Sequence, residues 1–229
     1  MTAILDTLAD DGFKAMLFDM DGTITHSIDA AERIWARWAK AQGLDVDAFL
    51  PTIHGVRTVD TIAKLNLPGV DPATEAAKIT AAEINDTEGV KEIPGAIALL
   101  RALPADRWAV VTSAPRALAE SRMQAAGLPL PPLLISAEDV RVGKPSPEGY
   151  LAAARTLGVD IAQCLIFEDA DAGIQAAEAS GGQLIVVTST HNRQGGSAPL
   201  VSAPQVSKPY IAIEDFRETK ASLLRKLGL

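Results

Sequence analysis

Two aspartates one residue apart, Asp19 and Asp21, terminate the apolar run KAMLF in the stretch DMDGT. Side chains on a strand alternate with a period of two, so the pair is expected to share one face, where one carboxylate attacks and the other moves protons. A carboxylate nucleophile suits phosphoryl transfer through an aspartyl-phosphate, which needs positive charge around the transferring group. Other apolar runs end in residues of matching chemistry: Thr112 and Ser113 after WAVV, Glu168 and Asp169 after CLIF. Hydroxyl and amide donors at Thr112 and Ser113 suit phosphate oxygens, and Gly22 lets the backbone turn close to them. Asp19, Asp21, Glu168 and Asp169 gathered in a low-dielectric cleft would repel one another unless a cation neutralised them. Their hard oxygen donors favour Mg²⁺. Lys144, in the proline-flanked turn GKPSPEGY, is the candidate fixed cation.

These residues depend on the elements that carry them. KAMLFD (Lys14 to Asp19), WAVVTS (Trp108 to Ser113), LLIS (Leu133 to Ser136), CLIFED (Cys164 to Asp169) and QLIVVT (Gln183 to Thr188) read as buried parallel strands. Between them, apolar residues recur at helical spacing: Ile97, Leu100 and Leu103; Leu118, Met123 and Ala126; Tyr150, Ala154 and Leu157; Ile174 and Ala177. Gly127, Gly158 and Gly181 follow the last three groups as helix C-caps. Strand and helix alternate, which predicts an α/β fold with a doubly wound parallel sheet, whose ligands bind beyond the strands' carboxyl ends where strand order reverses. From about Ser27 to Glu88 the pattern changes. Ile28, Ala31, Trp35 and Trp38, then the Ala-rich stretch from Ala73 to Asn85, predict a helical insertion. The expected division is an α/β core from residues 1–26 and 89–229, carrying the catalytic site, and a helical cap from 27–88. The polar tract THNRQGGSAP reads as a surface loop, including Gln194, Gly195 and Gly196; the segment PYIAIEDF and an amphipathic helix follow.

Composition limits the partners. The chain has 229 residues, 48% hydrophobic and 22% charged, enough for a substantial core. Its 21 Lys and Arg against 29 Asp and Glu leave a formal net charge of −8. A field of that sign repels nucleic-acid backbones and anionic lipid, so neither is an expected partner. No apolar run reaches the ~18–20 residues of a bilayer span. Asp6, Asp10 and Asp11 stand where a signal peptide carries Lys or Arg, so a cytoplasmic location is expected. The single cysteine, Cys164, reads as a core thiol.

DMDGT, VVTSAPR, GKPSPEGY and FEDADAGIQAA follow one another in the order and spacing of the four motifs of the haloacid dehalogenase superfamily. From about Phe13 to Thr188 the chain resembles the subgroup in which an α-helical cap is inserted after the first motif. The stretches AAERIWARWAKAQGL, HGVRTVDTIAKL and IPGAIALLRAL are similar to its sugar-phosphate and polyol-phosphate phosphatases, the group containing 2-deoxyglucose-6-phosphate and glycerol-phosphate phosphatases. The resemblance implies roles by position. Asp19 is the nucleophile, and Asp21 protonates the leaving alcohol and then activates water. Thr112, with the Ser113 and Ala114 amides, binds the phosphoryl group, while Lys144 offsets charge on Asp19 and the phosphate. Asp169, Asp19 and the Asp21 main-chain carbonyl hold Mg²⁺, supported by Glu168. One departure is His26, which stands before Ser27 where members commonly carry Asp. Ala31 occupies the position of the shuttle His in hexose-phosphate mutases, which favours hydrolysis over phosphate return. Asp21 and Gly22 argue against a phosphonate hydrolase and a dehalogenase.

On the cap, His54 and Arg57 in HGVRT are the candidates for contact with the leaving group. Trp35 and Trp38 are expected to pack the cap core rather than stack on a sugar. His26 and His191 lack paired ligand spacing and are not expected on a metal; Asp171 serves helix-start electrostatics. The expected function is a Mg²⁺-dependent phosphatase for a small phosphorylated sugar or polyol, a monomer or weak homo-oligomer. A sugar phosphomutase and a non-catalytic phosphometabolite sensor are the alternatives.

Overall fold

The structure, a computed structural model, describes residues 12–191 and 210–229. Asp6, Asp10 and Asp11, and the polar tract from residue 192 on, with Gln194, Gly195 and Gly196, lie outside the described residues. In chain order the elements are β1 (Ala15–Phe18), β2 (Thr25–His26), α1 (Ile28–Ala41), α2 (Val46–Phe49), α3 (Thr58–Leu65), α4 (Pro72–Asn85), β3 (Lys91–Glu92) and α5 (Ala96–Leu100). They continue with β4 (Trp108–Val111), α6 (Arg116–Ala125), β5 (Leu134–Ile135), α7 (Glu148–Leu157), β6 (Cys164–Glu168), α8 (Asp171–Ser180), β7 (Gln183–Val187), β8 (Ile211–Ile213) and α9 (Lys220–Lys226).

Six strands form one sheet in the order β5-β4-β1-β6-β7-β8, every neighbouring pair parallel. Parallel strands are covered on both faces, and the period-two alternation distributes their side chains between two cores. Met16, Phe18, Trp108, Val110, Leu165, Phe167, Ile185 and Val187 enter one. Ala15, Leu17, Ala109, Val111, Cys164, Ile166, Leu184 and Val186 enter the other. Phe18 stacks on Phe167 with centroids 4.6 Å apart, which locks β1 to β6. Cys164 is buried there, and burial pushes its thiol up to about 12, so it packs as a small hydrophobe. Because the chain runs from β1 to one side of the sheet and later returns to the other, β1 lies at the reversal of strand order.

A third hydrophobic cluster belongs to the helices between β2 and β3: Ile34, Trp35, Trp38 and Ala39 of α1 with Phe49, Ile53, Ile62 and Ile79. Trp35 meets Trp38 edge-on at 5.6 Å, and Trp38 donates its indole N–H to Glu75 at 2.9 Å, so the tryptophan pair does pack this cluster. The chain enters and leaves these helices through the antiparallel ribbon β2–β3, in which His26 opposes Lys91. Neither this ribbon nor β8 was legible as a strand, since two or three residues carry no periodicity. The run LLIS keeps only Leu134–Ile135 as strand, because Ser136 and Asp139 close a capping box that turns the chain into a 3₁₀ helix.

Candidate active site

Asp19 follows β1, Thr112 follows β4, Glu168 ends β6 and Asp169 follows it, so adjacent strand ends deliver four polar residues to one place. Lys144, from the loop between β5 and α7, reaches in and is satisfied three times: by Asp19 Oδ1 at 2.5 Å, Glu168 Oε1 at 2.6 Å and the Val111 carbonyl at 3.1 Å. All three donors of the ammonium are thereby used. Two carboxylates facing it keep Lys144 protonated well above the ordinary lysine range despite its burial. The Tyr150 hydroxyl donates to the same Glu168 oxygen at 2.5 Å, and the Asp169 amide donates to Glu168 Oε2 at 3.1 Å, so both Glu168 oxygens are engaged. Gly173 of α8 makes room for that carboxylate: a Cβ there would lie 1.8 Å from Glu168 Oε1.

Asp19, Glu168 and Asp169 are buried and each brings an oxygen within 4.8 Å of the others. Burial, reinforced by mutual repulsion, holds the carboxyls of Asp19 and Asp169 well above the usual range. Lys144 compensates Asp19 and Glu168. Among the described residues, the side-chain hydrogen bonds to Asp169's oxygens come from the neutral hydroxyls of Thr23 at 2.9 Å and Thr190 at 3.5 Å, while His191 Nε2 lies 2.8 Å from its carbonyl. Three buried carboxylates with one fixed cation are an all-oxygen donor set with excess negative charge, and such a set fits a hard divalent ion. Glu168 is committed to Lys144 and Tyr150, so Asp19 and Asp169 are the residues with oxygens to spare. Gly22 (φ 86°) permits their approach, since a Cβ there would lie 1.9 Å from Asp169 Oδ2.

Asp21 differs from the sequence-based expectation. β1 ends at Phe18, so Asp19 and Asp21 are not two strand positions; Asp21 lies in a turn closed by Gly22 N–H to the Thr25 carbonyl at 2.8 Å. Its carboxylate is also outside the buried trio. Ser27 Oγ is hydrogen-bonded to Asp21 Oδ1, and Arg122 Nη1 meets Oδ2 at 3.0 Å. Both aspartates nevertheless line one cleft, with Thr112, Ser113, Ala114, Asp169, His54 and Ala31.

The other expected residues divide. Thr112 is pinned by its amide to the Ile135 carbonyl at 2.9 Å, and its Oγ1 accepts the Ala114 amide at 3.0 Å, so that amide is engaged within the loop. Ser113 donates its hydroxyl to the Gly55 carbonyl at 2.8 Å and thus joins the loop to the helical insertion. Neither caps α6, whose N-cap is Pro115. His54 lines the cleft and pairs with Glu32 at 3.1 Å. Arg57 does not line it: its guanidinium is taken up by Asp60 at 2.7 Å and the Val140 carbonyl at 3.2 Å, and its stem crosses Gly143. Arg57 thereby ties the helical insertion to a core loop.

Sequence reading missed Tyr150, Thr23, Glu83 and Arg122. For the last two a signal existed. Glu83 lies four residues after Ile79 on α4, and Arg122 four after Leu118 on α6, so each charge occupies an apolar stripe. The two meet at 3.1 Å, both buried. One guanidinium faces two carboxylates, and burial outweighs its attraction at Glu83, pushing that carboxyl up to about 7.

No helix among the described residues is long and apolar enough to cross a membrane. The sequence model of one family, haloacid dehalogenase-like hydrolase, matches residues 13–181. Hexitol phosphatase A of Escherichia coli is 39% identical over 178 residues, covering 76% of this chain and 82% of the relative. Glycerol-1-phosphate phosphohydrolase 2 of Saccharomyces cerevisiae is 38% identical over 190 residues, covering 77% and 75%. A crystal structure of a hydrolase from Pseudomonas syringae superposes with a TM-score of 0.74 at 22% identity, covering 92% of this chain and 97% of that one, a likeness of fold. With the buried acidic trio at the carboxyl ends of a doubly wound parallel sheet, these matches establish that the chain belongs to the haloacid dehalogenase-like hydrolases.

Proposed function

We propose that the chain is a Mg²⁺-dependent phosphatase that hydrolyses a small phosphorylated sugar or polyol through an aspartyl-phosphate. The observation that carries this reading is the buried pairing of Asp19 with Lys144 beside Asp169, in the cleft that also holds Asp21. The names of the two relatives, a hexitol phosphatase and a glycerol-1-phosphate phosphohydrolase, support the substrate class. Asp19 and Asp169 would hold Mg²⁺ with the Asp21 carbonyl, and the ion would offset charge on the phosphoryl oxygens.

In the first step an Asp19 oxygen bonds to phosphorus, the ester P–O bond breaks, and the leaving oxygen takes a proton from Asp21. In the second, Asp21 takes a proton from water as the water oxygen attacks phosphorus, releasing inorganic phosphate and restoring Asp19. Lys144 neutralises Asp19 and orients it through its shared hold on Glu168. Thr112 and the Ser113 amide, which has no acceptor among the described residues, are the donors to the phosphoryl group. Residues 27–88 act as the cap over a core of 1–26 and 89–229, closing the leaving-group side against bulk water. Ala31, which lines the cleft, has no proton to shuttle and favours hydrolysis over a mutase.

Asp19→Asn tests the mechanism. With aryl phosphate and Mg²⁺, phosphate release should fall by about 10⁴-fold or more while the melting temperature is maintained. An Asp19→Asn variant as active as wild type would end the aspartyl-phosphate reading.

A further inference from the structure

Beyond Asp21, the leaving-group end of the cleft contains a buried ion pair that the proposed steps do not use. Arg122 of core helix α6 bridges Asp21 Oδ2 at 3.0 Å and Glu83 Oε1 of α4 at 3.1 Å. The Arg122 and Glu83 side chains are 6% and 4% exposed, and both line the cleft that holds Asp19. A buried ion pair is a poor source of stability, since an apolar pair of similar volume holds a fold as well or better. Retention of two charges on otherwise apolar helix faces therefore calls for a use in the cleft.

The surroundings suggest the ligand chemistry. Ile28, Ala31, Trp35 and Leu118 give this end an apolar wall suited to carbon-bound hydrogens. Hydroxyl groups brought against such a wall lose water and need partners. Glu83 has a second carboxylate oxygen beyond the one that Arg122 engages, and Arg122 fixes the orientation of the group. Asp21 Oδ1 and Oδ2 are each engaged, by Ser27 and Arg122, whereas Arg122 engages one Glu83 oxygen, so Glu83 is the buried carboxylate beside this wall with an oxygen to offer.

Resting on the phosphatase reading, we propose that Glu83, oriented by Arg122, is the specificity-determining residue that accepts a hydroxyl hydrogen bond from the leaving alcohol. It selects esters of polyhydroxylated alcohols over those of hydroxyl-free ones. Arg122 is a poor test of this, because removing it would strand both Asp21 and Glu83; changing Glu83 leaves Arg122 paired with Asp21.

The experiment measures kcat and KM with Mg²⁺ on the full chain for wild type, Glu83→Gln and Glu83→Leu, using a hexitol phosphate, glycerol phosphate, butyl phosphate and para-nitrophenyl phosphate. The readout is the ratio of kcat/KM for the polyol esters to that for the hydroxyl-free esters. Loss of a hydrogen bond to a substrate hydroxyl should lower this ratio by about tenfold or more in Glu83→Leu and by a smaller factor in Glu83→Gln, mainly through KM of the polyol esters. Ratios within twofold of wild type in both variants would overturn the proposal. So would equal losses on all four esters, which would make Glu83 a support for Arg122 and Asp21. If Glu83→Leu fails to fold, the near-isosteric Glu83→Gln alone decides by the same ratio. A wild-type protein that releases phosphate from none of the esters overturns the phosphatase reading and this one with it; active wild type with unmoved ratios overturns only the role of Glu83.

Discussion

Around Asp19 every charged group comes from a strand terminus or a core loop, whereas at the other end of the cleft, which the proposed function gives to the leaving group, Glu83 comes from α4, Arg122 from α6 and His54 from the segment between α2 and α3. The first arrangement is over-determined. Lys144 has three acceptors, Glu168 has partners on both oxygens, and the strand ends are held by parallel ladders on each side of β1. The second has fewer shared partners: Ser113 bonds the Gly55 carbonyl, Arg57 the Val140 carbonyl and His54 Glu32, while Arg122 bridges Asp21 and Glu83. Fixed geometry is what a reacting centre needs, while a surface read by different leaving groups tolerates looser support. On the proposed function, the contrast separates residues assigned to the reaction from residues assigned to the choice of substrate.

The largest test of the contrast is Lys144→Ala. It strands Asp19 and Glu168 in a buried site, and a melting curve with urea titration should show about 3–5 kcal/mol of lost stability. A loss below about 1 kcal/mol would mean that water relieves the carboxylates and that the phosphoryl end is less closed than its burial indicates.

The next test moves to Glu83. Its folded-state carboxyl is pushed up to about 7 from an ordinary 4.5, so the folded protein binds the extra proton between those values. The associated stability is fully present below about pH 4.5 and is lost as pH rises through about 7. Glu83→Gln has no such proton to lose. Its unfolding free energy relative to wild type should rise between pH 5 and pH 8, by at most about 3 kcal/mol. A flat difference would show that Arg122 keeps Glu83 ionised throughout.

The smallest effect is expected for Ser113→Ala, which removes the hydroxyl bond to Gly55. Melting should register about 1 kcal/mol, with KM for phosphate esters changed little. An unchanged melting temperature with a tenfold rise in KM would instead assign the hydroxyl to the phosphate and leave the helical insertion held by other contacts.

Legibility followed the same division. Strands β1, β4, β6 and β7, Asp19, Glu168 and Asp169 could be read from short apolar runs ending in polar residues, and Lys144 from its proline-flanked turn, because the sheet's two faces impose composition on each strand and its topology imposes chemistry at each strand's end. The helical nature of the insertion and the packing of Trp35 against Trp38 were legible from spacing alone. The bonds from Arg57 to Asp60 and to the Val140 carbonyl were not legible, because a cation near a cleft looks the same in sequence whichever partners hold it. The partnership of Arg122 with Asp21 and Glu83 links positions far apart in the chain, and no local pattern encodes which buried charge meets which. By itself, the sequence determined the α/β sheet, the inserted helices and the carboxylates at the strand ends, since periodicity and strand-end position are local properties. Tertiary structure alone decided that Asp21 turns to Arg122, that Glu83 enters the cleft and that Arg57 meets the Val140 carbonyl, because those outcomes depend on how packing brings distant side chains into hydrogen-bond range.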